Sequence, residues 1–155
     1  MTAFIVALMA GGISALLVAT LTGWSRGTGR ATAEASASVG AQKIAQEIRD
    51  GQAATVSSGT LTVTIPQETV DGYGEACYNR GVAGQIREYY LLTNGVLMRR
   101  VDGVESAVVS GVSSATFTPY GASVTITITG QQQVGTSVSS ETATARVRLR
   151  NHAAS

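Results

Sequence analysis

The sequence predicts an α+β protein, with a long N-terminal α-helix packed on a C-terminal, mostly antiparallel β-sheet domain. The helix is apolar in its first half and amphipathic in its second. Three observations carry this reading. The first 25 residues hold no charged side chain. The next 25 place apolar residues at helical spacing. The last hundred alternate apolar and polar residues in short runs divided by turn dipeptides. The expected organisation is an apolar helix over 1–25, an amphipathic continuation over 26–51 and a β-rich head over 52–155.

The apolar run from Met1 to Leu21 is long enough to cross a bilayer, and the first charge is Arg26. Such an end either sits in lipid or is buried against other chains. No basic residue precedes it, and Arg26 and Arg30 follow it directly, the reverse of a secretory signal. Those arginines would also hold the rest of the chain on the cytoplasmic side. The small residues Ala31, Ala33, Ala35 and Ala37 only mimic a cleavage site. The expectation is therefore that a basic leader once preceded Met1 and has been removed. Gly11-Gly12 lies mid-run, where paired glycines cost about 1 kcal/mol each against alanine but permit close helix packing or local melting.

In the second half, Ala41, Ile44, Ala45 and Ile48 form one stripe, while Gln42, Lys43, Gln46, Glu47 and Arg49 cover the other side. Lys43 and Glu47 are four apart, the spacing of a helix-surface ion pair. Gly51 after Asp50 reads as a C-terminal cap. Gly23, Gly27 and Gly29 predict a break or bend between the halves. Unbroken, residues 2–50 would run about 74 Å. Gly27-x-Gly29 is no nucleotide loop, because no strand precedes it and no Gly-Lys-Ser/Thr follows.

Leu61–Ile65, Val124–Thr129 and Ala145–Arg150 alternate strictly, the period of strands with one buried and one wet face. Val, Ile and Leu face in, Thr and Arg face out, and the stripe at Ile44 and Ile48 forms the lid. Between them a meander is expected. Gln85–Leu92 leads through Asn94-Gly95 into Val96–Val101, Asp102-Gly103 leads into Val104–Val109, and Ser113–Tyr120 follows. Six or seven strands, mostly sequential neighbours, result. Residues 130–140 read as a polar, mobile loop, and 71–84 as a glycine-dense irregular excursion.

No constellation points to chemistry. The carboxylates Glu68, Asp71, Glu75, Glu88, Asp102, Glu105 and Glu141 are scattered, without metal or acid–base spacing. One histidine, His152, excludes a His-rich zinc site and lies where chain ends fray. The single cysteine, Cys77, reads as a small buried hydrophobe. No Gly-x-Ser-x-Gly elbow exists. Catalytic residues, cofactors and metals are therefore all expected to be none. A net charge of +1 gives no global sign of a nucleic-acid partner. Tyr89 and Tyr90 point to opposite faces, so they form no stacking platform. Arg146, Arg148 and Arg150 share one strand face, read as solvated or inter-subunit.

The apolar helix, its amphipathic continuation and the C-terminal sheet together resemble the type IV pilin and pseudopilin superfamily. Tyr89–Gly103, followed by Val109-Ser110-Gly111-Val112-Ser113-Ser114-Ala115-Thr116-Phe117, is similar to the globular part of minor pilins and pseudopilins. Thr2 stands where family members often have threonine, and the family's usual glutamate would fall at Ile5. In the family that carboxylate neutralises a neighbouring N-terminal amine. Without it the amine needs another acceptor, such as the Thr2 hydroxyl or a free carbonyl, since an unpaired buried charge is costly.

The resemblance implies a leader removed by a prepilin peptidase, with processing and methylation at Met1. It implies a chain held in the inner membrane before assembly and then drawn into a cell-surface, extracellular filament by inner-membrane machinery. The partners would be copies of itself and other pilins. Filament-core packing would fall on Met1, Thr2, Phe4, Ile5, Leu8, Gly11, Gly12, Leu16 and Leu17, and helix-to-sheet packing on Ile44 and Ile48. The expected function is a structural subunit of a type IV pilus-like filament. The alternatives are a minor or tip-priming pseudopilin of a secretion or DNA-uptake system, or a non-polymerising, single-pass anchored binding module.

Overall fold

The computed structural model describes the backbone over residues 2–152 and the side chains over 12–79 and 82–152. One helix, α1 (Thr2–Ile48), precedes eight strands: β1 (Ala53–Ser57), β2 (Thr60–Val70), β3 (Ala76–Leu91), β4 (Leu97–Val101), β5 (Val104–Val109), β6 (Val112–Tyr120), β7 (Ser123–Val134) and β8 (Ser137–Arg148). Every pairing is antiparallel between sequential neighbours. The strands form two sheets, β1-β2-β3-β4-β5 and β6-β7-β8. The class is α+β, as the sequence predicts. The break falls between β5 and β6, where Gly111 takes φ +74°.

The helix runs through Gly23, Gly27 and Gly29 without interruption, 47 residues or about 70 Å. The expected break is absent. At Gly29 the glycine serves a close approach, because an added Cβ would lie 2.9 Å from Val134 Cγ2. From there the buried positions are Gly29, Ala33, Ala37, Gly40, Ala41, Ile44 and Ile48, a continuous helical seam. Small residues let the upper seam lie against β7 and β8. Isoleucines fill the wider space at the lower end.

Ile44 and Ile48 are fully buried with Leu61, Val63, Tyr89 and Leu97 of the first sheet and Val124, Ile126 and Ile128 of the second. One core thus joins the helix to both sheets. Truncating Ile44 to alanine is expected to cost about 3 kcal/mol, because seam and sheets are both too regular to collapse into the cavity. Denaturant unfolding followed by circular dichroism measures this, and a loss below about 1 kcal/mol would contradict the packing.

Several local expectations are corrected. Residues 130–140 are not a loop: β7 and β8 pair out to Val134↔Ser137 around the two-residue turn Gly135-Thr136. One face of this ribbon is half-buried against the helix at Gly29, but its residues there are mostly Gln and Ser, so no apolar alternation marks it. Residues 71–84 are mostly strand. Only 71–75 turn, and register shifts about Pro66 make the irregularity. Gly84 stands at that bulge, where an added Cβ would lie 2.6 Å from the Gln67 Cα. The strands number eight in two sheets.

Gly51 is not a left-handed cap; it lies against Val63, where a Cβ would come within 2.7 Å of Cγ1. The Gly51 N–H still closes the helix end, donating to the Ile48 carbonyl at 2.9 Å, and residues 150 and 151 meet the next two carbonyls. Arg150 N–H donates to the Arg49 carbonyl at 2.8 Å, and Asn151 Nδ2 donates to the Asp50 carbonyl at 2.8 Å. Asn151 is buried. Residues 149–151 are therefore pinned rather than frayed, because they cap orphan carbonyls that would otherwise go unmet.

Candidate assembly surface

The helix leaves the head at Gly29. On residues 12–28 the apolar side chains Ile13, Leu16, Leu17, Val18, Leu21 and Trp24 are all exposed, Leu16 and Trp24 to 72%. At about 1.5–3 kcal/mol per buried side chain, these six leave on the order of 10 kcal/mol of burial unused. The hydroxyls between them are turned inward. Thr20 donates to the Leu16 carbonyl at 2.8 Å, Thr22 to Val18 at 2.7 Å, Ser25 to Thr22 at 3.0 Å and Thr28 to Trp24 at 3.1 Å. These four hydroxyls are satisfied within the helix, so around them the outer surface up to Arg26 offers mainly methyl and methylene groups. An added Cβ at Gly12, Gly23 or Gly27 would meet nothing within 4 Å. These glycines are open notches of the kind that let helix backbones approach closely.

Of the expected filament-core residues, Met1 and the positions Thr2, Phe4, Ile5, Leu8 and Gly11 lie outside the side chains described. Gly12, Leu16 and Leu17 lie on the uncovered helix. Among the described residues no helix is long and apolar enough to cross a membrane. The side chains of residues 1–11, which open the apolar run, lie outside that statement. At the base of the free segment Arg30 Nε reaches Glu141 Oε1 of β8 at 2.6 Å, fixing the point where helix and head part.

Behind the seam lies a polar clamp that the sequence reading missed. Glu47 does not pair with Lys43 on the outer side. Its Oε2 accepts from the Tyr89 hydroxyl at 2.9 Å, and its Oε1 accepts from Arg99 Nη1 at 2.9 Å. Arg87 Nη1 donates to the Glu47 carbonyl at 2.6 Å. The helix's last turn is thereby tied to β3 and β4. Burial, and after it Glu47, push the Tyr89 hydroxyl well above the usual tyrosine range. The readable signal was the position of Glu47 beside the buried Ile44 and Ile48.

On the outer face of β3, β4 and β5, Tyr90 donates to Glu105 Oε1 at 2.5 Å, and Arg100 reaches Glu105 at 2.8 Å and Glu88 at 3.0 Å. The Tyr90 bond first, then Arg100, hold the Glu105 carboxyl below its ordinary range. Its contribution is present above the ordinary glutamate pKa and fades as pH falls through the lowered one. In Tyr90→Phe the Glu105 midpoint is expected to climb back toward the ordinary value, read by NMR titration. An unmoved midpoint would refute the hydroxyl's role.

Arg146 and Arg148 of β8, together with Arg150, Arg49 and His152, line an open groove of about 640 Å³ between the helix end and the sheet edge. Arg150 Nη1 stands 3.6 Å from Asp50. Arg49, Arg146 and Arg148 have no carboxylate partner among the described residues. Cys77 is half-buried on β3, not enclosed as expected. Its partner on β2 is Thr69, in the part of the hairpin that leaves the core, so there is no packed layer to enclose it. Among the described residues no group of three or more His, Cys, Asp or Glu could hold a metal ion. No family model, no curated protein and no solved structure matches the chain.

Proposed function

We propose that this protein is a structural subunit of a pilus-like filament, held together by lateral packing of its N-terminal helices. The observation that carries the reading is an uncovered helix in which the hydroxyls of Thr20, Thr22, Ser25 and Thr28 bond back to the helix between six exposed apolar side chains. Such a surface suits an apolar surrounding, either lipid or sister helices. Exchange of one for the other carries little net hydrophobic cost, so assembly from a membrane pool is thermodynamically mild. The notches at Gly12, Gly23 and Gly27 suit sister helices more specifically than lipid, because lipid tails do not require them. The resemblance of Tyr89–Gly103 and Val109–Phe117 to minor pilins and pseudopilins supports the same class. In this reading the head is a passenger, tiled on the outside and fixed to the rod by the small-residue seam.

The test is made on cells that express the chain. Electron microscopy should show fibres composed of it, and mass spectrometry of the native N-terminus should find a methylated Met1. Shuffling the apolar residues of 12–22 at constant composition should abolish fibres while leaving membrane retention intact. A chain that is monodisperse in detergent, forms no fibres and tolerates the shuffle would be an anchored binding module instead.

A further inference from the structure

Beyond the core seam, β2 and β3 continue as a hairpin arm that the protein itself leaves uncovered. Burial along β2 stops at Pro66, and every residue from Gln67 to Gly74 is exposed. At about 3.3 Å per residue the strands carry the tip on the order of 15 Å clear of the core. The register pairs Glu68 with Tyr78 and Val70 with Ala76. Directly opposed residues share a face. One face of the arm therefore presents Glu68, Val70 and Tyr78 together. Tyr73 at the tip is 95% exposed and Val70 65%. Residues 67–83 hold three carboxylates, Glu68, Asp71 and Glu75, against the single Arg80. Asp71 is spent on the turn, accepting from the backbone amides of Tyr73 and Glu75 at 2.9 Å each. Glu68 and Glu75 are left pointing outward.

The same chain carries the matching surface. The groove between the helix end and β8 is lined by Arg49, Arg146, Arg148 and Arg150 beside the apolar Val147, Leu149 and Ala45. Val147 and Leu149 face the core and are already buried, so what the groove offers is mainly cationic, the complement of an arm with outward carboxylates. We propose that the β2–β3 arm of one copy docks in the arginine-lined groove beside β8 of the next. Glu68 and Glu75 then face Arg146 and Arg148. Arm and groove are different patches of the chain, so the contact is heterologous. Repeated, it builds an open chain of heads and not a closed dimer. The contact stands apart from helix packing and would add a second, outer connection along a filament.

The test uses the full chain in detergent micelles at low salt, in a Cys77→Ser background. One population carries Gly72→Cys at the arm tip, where an added Cβ meets nothing within 4 Å. The other carries His152→Cys at the groove. A short bismaleimide should join the two populations. Glu68→Lys with Glu75→Lys on the arm, or Arg146→Glu with Arg148→Glu on the groove, should each cut that product at least tenfold. Mixing the reversed arm with the reversed groove should restore it, which shows that both variants fold. Cross-linking indifferent to charge reversal, or unrestored by the complementary pair, overturns the proposal. So does a groove that binds short duplex DNA while the arm stays uncoupled. Fibres on cells without the arm–groove product would sink this contact alone. The product without fibres would sink only the filament reading.

Discussion

Gly130→Ala is expected to destabilise the head by about 3 kcal/mol or more, the upper end of overpacking costs, and to lower Tm by about 10 °C. Gly130 sits in β7, the middle strand of its sheet, between Val112 of β6 and Glu141 of β8. An added Cβ would fall on the Ala33 carbonyl oxygen, 2.9 Å from the Ala33 carbonyl carbon and 3.1 Å from the Ala37 amide nitrogen. Every one of these atoms is backbone. No rotamer change relieves the clash, so helix and sheet must part along the seam that Ala33, Ala37 and Ala41 make. Thermal unfolding by circular dichroism measures the loss. A variant within about 0.5 kcal/mol of the parent would show that helix and sheet do not meet as closely as described. Gly23→Ala is the matched control, since its Cβ enters open space and alanine favours the helix.

Glu47→Ala is expected to cost about 2–3 kcal/mol, because it strands the Tyr89 hydroxyl and Arg99 Nη1 in a partly buried layer. The charge pair alone would be worth less, since the Arg99 side chain is 33% exposed. Most of the cost is the unmet hydroxyl of a fully buried tyrosine. A double-mutant cycle with Tyr89→Phe isolates that part, and the two changes together should cost clearly less than their sum. Alkaline titration gives a second readout. Tyr89 ionises only above the usual tyrosine range, so its contribution is complete below that range and declines as pH rises through the raised value. With Glu47 removed, the Tyr89 titration should move down toward the other tyrosines while staying raised by burial. Additive costs and an unmoved Tyr89 would refute the clamp.

Much of the strand layout was legible because antiparallel hairpins leave local marks. Asp102-Gly103 takes φ +49° and +85°, a turn that glycine and aspartate tolerate better than most residues. Asn94-Gly95 lies in a longer turn, closed by the Leu92 N–H to Val96 carbonyl bond at 2.9 Å, with Asn94 Oδ1 accepting from Val96 N–H. Where the marks failed, the cause was a change of surroundings. The β7–β8 ribbon extends past the large core side chains and lies on the helix at Gly29 with small and polar residues, so the apolar period of two is lost from the sequence though the burial still alternates. Nearer the core the period holds, with Ile126 and Ile128 buried and Thr127 and Thr129 pairing with Thr144 and Thr142 through their hydroxyls on the outer face. The glycines misled in the opposite way. Gly29, read with Gly23 and Gly27 as a break, proves to be a contact point with Val134, and Gly40 likewise meets Val109 and Ile128. A helix interior tolerates glycine when removing the side chain brings two backbones together.

The candidate assembly surface divides along the same line. The absence of charge before Arg26 is a property of the chain alone, and so is the alternation that makes Val147 and Leu149 face in and Arg146 and Arg148 face out. Such patterns depend only on local period, and they determined the fold class, the strand order and the uncharged front of the helix. Which of those surfaces stays uncovered was decided by tertiary structure. The sheets meet the helix only from Gly29 onward, the β2–β3 arm leaves the core at Pro66, and Glu47 turns inward to Tyr89 and Arg99. The seam and the Glu47 clamp depend on residues 40 or more positions apart in the chain coming within a few ångströms, and a local pattern carries no record of that distance.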